Sequence, residues 1–165
     1  MAIRDSKLIL CDDLDISGVA TTETISDNVF QMDSVLRHLT NDSAGDPITE
    51  GAAFNDTARA GRIILRCAVG DTPWLCTGGT GTVDIRLYSH TAAAVTSGSI
   101  VLSVNIPGVV ITTPATKLEA GKHLFDLVVG KDVWGDTTNK FIGIAAIANT
   151  QTLTTGTLQA WLEEI

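Results

Sequence analysis

The sequence predicts an all-β protein, built as a sandwich or barrel of antiparallel strands. Three observations predict it. Apolar residues recur with period two in short runs. Gly, Asn, Asp and Pro break those runs about every 8–15 residues, as turns between strands do. No apolar stripe with helical spacing persists for three turns, and no longer repeat is visible. About seven to nine such strands bury alternate side chains between two layers some 10 Å apart.

Taken in order, "KLILC" (7–11) reads as the first strand and "CDDLD" (11–15) as an acidic turn after it. "ETISDNVFQM" (23–32) reads as the second strand, kinked at Ser26, Asp27 and Asn28. Residues 33–61 have no sustained period and are rich in turn formers between Asn41 and Pro47. They read as one long excursion loop with a helical turn at 33–39, a length that usually marks a functional or docking element. The strands then become regular: "RIILRCAV" (62–69), "GTVDIRLYSH" (81–90), "GSIVLSVNI" (98–106), "KHLFDLVVG" (122–130), "KFIGIAAIA" (140–148) and "TGTLQAWLEE" (155–164). In 81–90 the pattern puts Val83, Ile85 and Leu87 on one face and Asp84, Arg86 and Tyr88 on the other. The segments 91–98, 107–121 and 131–139 read as loops or short edge strands.

At 165 residues the chain fits a single domain, 1–165, with a self-sufficient core. Charged residues make up 18%, below the usual quarter, which suits a surface partly covered in an assembly. A compact β domain with a Thr/Ser-rich exterior is the plainer alternative. The net charge of −8 repels phosphates, and no basic cluster breaks it, so nucleic acid is not an expected partner. Cys11, Cys67 and Cys76 are odd in number and lack CxxC spacing. They fit neither a disulfide framework nor a zinc site and read as reduced, mostly buried thiols made in a cytosol. "KLILC" is too short for a signal peptide or a membrane span, so no membrane partner is expected.

"TGGTGTVDIRLYSH" (77–90) raises the possibility of a phosphate loop. Such a loop needs a helix after its glycines, whose N-terminus offers free N–H groups. Here a period-two strand follows, the Walker Lys-Ser/Thr is missing, and Asp84 stands where a dinucleotide fingerprint needs its third Gly. Gly78, Gly79 and Gly81 read instead as a turn that uses positive φ. Asp12, Asp13 and Asp15 offer oxygens for Ca²⁺, but not at the spacing of a calcium loop and with no distal Glu, so solvated carboxylates are the better reading. His38, His90 and His123 stand on separate elements and do not read as a metal site. No GxSxG is present, and Glu163 and Glu164 read as solvating the chain end. The expectation is a protein that is not an enzyme and takes no catalytic residue, cofactor or metal.

The tryptophans carry more information. Trp74 lies in a Pro-containing turn and Trp134 in the "DVWGD" loop. If Leu158, Ala160 and Leu162 face the core, Trp161 points outward with Gln159 and Glu163, as an anchor for an interface or a sugar would. A register slip would instead turn it inward.

Four pieces occur in an order that resembles a known family: Ser26-Asp27-Asn28-Val29, Gly79-Thr80-Gly81-Thr82-Val83, the run from Ala120 to Phe125 ("AGKHLF"), and Gly156-Thr157. Together they are similar to the jelly-roll capsid cement (decoration) proteins of tailed bacteriophages, of the Bordetella phage cement protein type. The similarity covers nearly the whole chain, although each motif alone has low specificity. The chain departs from the family pattern in its long 33–61 segment and in ending the 123–129 strand with "VVG" rather than a Pro turn. The resemblance implies a jelly-roll-like antiparallel β-sandwich of about eight strands with one long excursion loop. It also implies a structural role on the virion. Made in the host bacterial cytoplasm, such a protein binds the outer capsid surface and staples neighbouring subunits of the major capsid protein. It acts with itself as a dimer or trimer at capsid symmetry axes. Contacts are then expected from the N-terminal arm (1–10, with Arg4 and Lys7), from the excursion (with Leu36 and His38), and from Trp134 and Trp161. The alternative is a carbohydrate- or receptor-binding β-sandwich module of a phage tail or spike, with Trp74, Trp134 or Trp161 in a sugar-stacking cleft.

Overall fold

A computed structural model of the chain describes residues 9–18, 24–25, 30–31, 63–90, 99–129 and 141–164. Its strands are β1 (Ile9–Asp15), β2 (Thr24–Ile25), β3 (Phe30–Gln31), β4 (Ile63–Val69), β5 (Leu75–Cys76), β6 (Gly81–His90), β7 (Ser99–Val109), β8 (His123–Val129), β9 (Phe141–Ala148), β10 (Leu153–Thr155) and β11 (Thr157–Glu164). A 3-10 turn occupies Thr116–Leu118. The β-branched and aliphatic runs form these strands because such side chains pack well on a pleated, half-buried surface.

The chain is an all-β sandwich. One antiparallel sheet has the order β1-β11-β4-β8. The other has the order β9-β6-β7, with β2 and β3 both pairing the free side of β9. β5 and β10 form a small ribbon apart from these. The two sheets face each other across one core. Leu10, Leu65, Cys67, Val69, Leu158, Ala160 and Leu162 from the first meet Val83, Ile85, Leu87, Ile142, Ile144 and Ala146 from the second. Each buried Leu or Ile contributes about 1.5–3 kcal/mol relative to exposure, so this one cluster dominates stability.

Set the ribbon aside and count β2 with β3 as one edge. The first sheet then takes the first, eighth, third and sixth strands of the chain, and the second takes the second, seventh, fourth and fifth. Among these strands only the step from β6 to β7 stays within a sheet. β1 and β11, from opposite ends of the chain, lie side by side.

The predicted strands recur with adjusted ends. β6 matches 81–90, and Val83, Ile85 and Leu87 are buried as expected. Tyr88, expected outward with Asp84 and Arg86, is only 6% exposed. The expected turn at 11–15 is a correction: Asp12, Asp13 and Asp15 lie inside β1, which bulges between Cys11 and Leu14. The strand at 98–106 runs on through Pro107 to Val109, which an edge strand tolerates because the missing N–H is not required by a neighbour. The closing strand is two, β10 and β11, divided at Gly156. The turn before β6 uses the left-handed region at Gly79, with φ +56°, and no helix follows it. The kink at 26–28, the excursion 33–61 and the segments 91–98 and 131–139 lie outside the described residues.

Candidate outer-surface site

Burial of Leu158, Ala160 and Leu162 fixes the register of β11, so Trp161 stands on the outer face of its sheet. It is half-buried there, in line with Gln159 and Glu163. Across that face it pairs with Ile9 of β1 on one side and Arg66 of β4 on the other, and Arg66 pairs with Asp126 of β8. The row Ile9, Trp161, Arg66, Asp126 thus crosses the sheet from edge to edge. Arg66 joins the charges around it. Its Nε lies 3.0 Å from Glu163 Oε2 and 3.9 Å from Asp126 Oδ1. The Nε–H is nonetheless without a well-aligned acceptor, so these contacts are Coulombic rather than directed hydrogen bonds. Asp126 Oδ1 is also 2.8 Å from His123 Nε2. Glu163 therefore does more than solvate the chain end. All four groups are partly exposed, and such pairs contribute about 0–1 kcal/mol each, so the network orients the face more than it stabilises the fold.

One end of the sandwich is closed by a latch centred on Asp13. Asp13 has φ +56°, a left-handed conformation at the β1 bulge. That twist turns its carboxylate toward residues 70–72 and 157. The Asp71 N–H donates to Asp13 Oδ1 at 2.6 Å, and the Thr157 hydroxyl donates to the same oxygen at 3.2 Å. The Thr72 N–H donates to Thr157 Oγ1 at 3.0 Å. Gly70 lies beneath: a Cβ there would overlap Asp13 Oδ1 and Thr157 Oγ1. The indole of Trp74 completes the closure. It is fully buried, and its Nε1–H donates to the Thr157 carbonyl at 2.7 Å. That carbonyl also accepts the Gly70 N–H at 2.8 Å. Asp13 is thus a structural residue and not a freely solvated carboxylate, and Trp74 is unavailable to any sugar.

On the second sheet Asp84 accepts from Asn105 Nδ2 at 2.7 Å and lies 3.6 Å from Arg86 Nη2. Burial acts to raise its pKa. Hydrogen bonds from Asn105 and Asn149 and the Arg86 charge outweigh that effect and hold it below the usual carboxylate value.

Of the expected contact residues, Trp161 alone falls among those described, and it faces outward as expected. Arg4, Lys7, Leu36, His38 and Trp134 lie outside the described residues. The partners of Trp161 on its face, Arg66 and Asp126, went unread in the sequence. Their signal was present, since Arg66 is a lone charge at an outward position of an apolar strand. His90 ends β6 and His123 opens β8, in different sheets. Among the described residues no group of three or more His, Cys, Asp or Glu side chains is placed to hold a metal ion, and no helix is long and apolar enough to cross a membrane. All three cysteines are buried thiols outside any disulfide. Cys11 and Cys67 both flank Ala160, two strand spacings or about 9–10 Å apart, beyond disulfide reach. Burial first, then proximity to Cys11 and Asp126, pushes the Cys67 thiol well up. No protein-family model and no curated protein matches this sequence.

Proposed function

We propose that the protein is a capsid cement protein of a tailed bacteriophage, which binds the outside of the expanded shell and staples neighbouring major capsid subunits. The observation that carries this reading is the ordered set of family-like segments together with the strand order. The strand orders first-eighth-third-sixth and second-seventh-fourth-fifth support a jelly-roll-like reading of the sandwich. The chemistry of the described residues fits a passive role. Asp13 is engaged in the latch and Arg66, Asp126 and Glu163 in a surface network, and the net charge of −8 repels packaged nucleic acid. The test is co-sedimentation with purified shells of the parent phage. Binding to expanded but not immature shells, with a raised temperature of shell disruption, is the expected result. Shells that neither bind the protein nor contain it would end this reading.

The half-buried Trp161 favours a second reading, a carbohydrate- or receptor-binding module. An aromatic ring beside Gln159, Arg66 and Glu163 offers a stacking surface next to hydrogen-bonding groups. A glycan array decides it, and binding abolished by Trp161→Ala would favour this module over cement.

A further inference from the structure

The two sheets of the sandwich divide its charge unequally. The strands of the first sheet carry Asp12, Asp13, Asp15, Asp126, Glu163 and Glu164 against Arg66 alone. One positive and six negative groups leave that sheet a net of −5. The strands of the second sheet carry one group of each sign, Asp84 and Arg86, which lie 3.6 Å apart. The field of the described strands therefore arises almost entirely from the first sheet.

The outer face of that sheet sets apolar groups among its charges. Beside the row Ile9, Trp161, Arg66, Asp126 runs a second row, Glu163, Ile64, Val128. Val128 is 57% exposed, and Trp161 is half-buried. The carboxylates of Asp126 and Glu163 are both partly exposed, with Arg66 as the one cation between them. One guanidinium cannot neutralise two carboxylates. The two rows thus combine an excess of negative charge with an indole and an exposed aliphatic side chain.

We infer that this face docks a cationic protein segment, a Lys- or Arg-bearing loop whose charge sits beside Glu163 and Asp126. The charges select a cation, since an anionic segment is repelled and an uncharged one gains nothing from the field. The apolar groups point to the same occupant. A cation is attracted to the face of an indole, and the aliphatic stem of Lys or Arg covers apolar surface such as Val128. The inference rests on the cement reading and deepens it, because it gives the chemistry of the capsid loop that the first sheet meets. The outer face of the second sheet, without net charge, is left free.

The test places opposite charges at one exposed position. Val128→Lys and Val128→Glu are compared for binding to purified expanded shells of the parent phage. Both remove the same side chain, so any shared loss of packing cancels between them, and melting curves check each fold. Ser103→Lys is the control, because Ser103 is exposed and pairs with Arg86 on the outer face of the second sheet. The sheets lie about 10 Å apart, so salt screens a charge there from the first face. Val128→Lys is expected to bind at least about 10-fold more weakly than Val128→Glu, and Ser103→Lys as the wild type does. Trp161→Leu should lose about 2–5-fold, the worth of a cation on an exposed ring. Equal binding by the two Val128 variants, or an equal loss in Ser103→Lys, would overturn the inference. The same variants are titrated with a labelled oligolysine peptide, which reads the face without a shell. Peptide binding that follows the charge at 128, with no shell binding by the wild type, keeps the face and ends the cement reading. Shell binding indifferent to that charge refutes the face and leaves the cement reading standing. Failure of both assays ends both.

Discussion

Replacing Asp13 separates two contributions that the latch combines. The first is hydrogen bonding. Asp13 accepts the Asp71 N–H at 2.6 Å and the Thr157 hydroxyl at 3.2 Å. A bond to a charged group contributes about 1.5–3 kcal/mol, but the Asp71 N–H is exposed and water can replace its acceptor, so about 1.5 kcal/mol applies. The weaker, part-buried bond to Thr157 adds about 0.5 kcal/mol. The second contribution is backbone strain. At φ +56° an alanine is less favourable than glycine by about 1 kcal/mol, whereas Asn tolerates this region. Asp13→Ala therefore loses about 3 kcal/mol, Asp13→Gly about 2, and Asp13→Asn about 1, since its amide oxygen still accepts. For a chain of this size 1 kcal/mol moves the midpoint by about 2–4 °C, so Asp13→Ala should melt about 6–12 °C below the wild type. Urea unfolding followed by tryptophan fluorescence measures the series. A glycine variant no more stable than the alanine variant would refute the left-handed strain. An asparagine variant as damaged as the alanine one would refute the hydrogen bonding.

Two more outcomes follow from the same geometry. Trp74→Phe should cost about 2 kcal/mol by urea unfolding, from one net hydrogen bond and a smaller ring, because the Thr157 carbonyl keeps the Gly70 N–H and is not orphaned. Trp74→Ala should cost about 3–5 kcal/mol, and equal losses for the two would show that the indole does not fill the closure. The folded pKa of Asp84 lies below its unfolded value of about 3.9, so its contribution is complete above about pH 4 and is lost as the pH falls through the folded value. Asp84→Asn should thus flatten the stability curve between about pH 5 and pH 2, and an unchanged slope there would contradict the assignment.

Much of the sandwich was legible because each strand carries its own signal. β6 begins at Gly81 and alternates with little interruption, so its bounds and inner face follow from period two. The outward Trp161 was legible for the same reason, since Leu158, Ala160 and Leu162 point the other way. What escaped depends on residues far away in the chain. Asp13 reads locally as one of several solvated carboxylates. Its role comes from Thr157, 144 positions on, and from a bulge that no local pattern announces. Trp74 reads as a turn residue because its neighbours are Pro73 and Thr72, yet it is buried beneath the β10–β11 junction. The split of the last strand at Gly156 escaped as well, because the residues on both sides keep strand character.

These long-range contacts bear on where a partner can attach. The first and last principal strands lie side by side in one sheet, and their joint carries the latch, so both ends of the fold are fixed by each other. Disturbing that end would cost core stability, which makes it a poor place for a reversible contact. The outer face around Trp161 is different: the ring and its neighbours Arg66, Asp126 and Glu163 are already part-exposed, and their ion pairs contribute little to the fold, so a partner that covers them disturbs neither the latch nor the core.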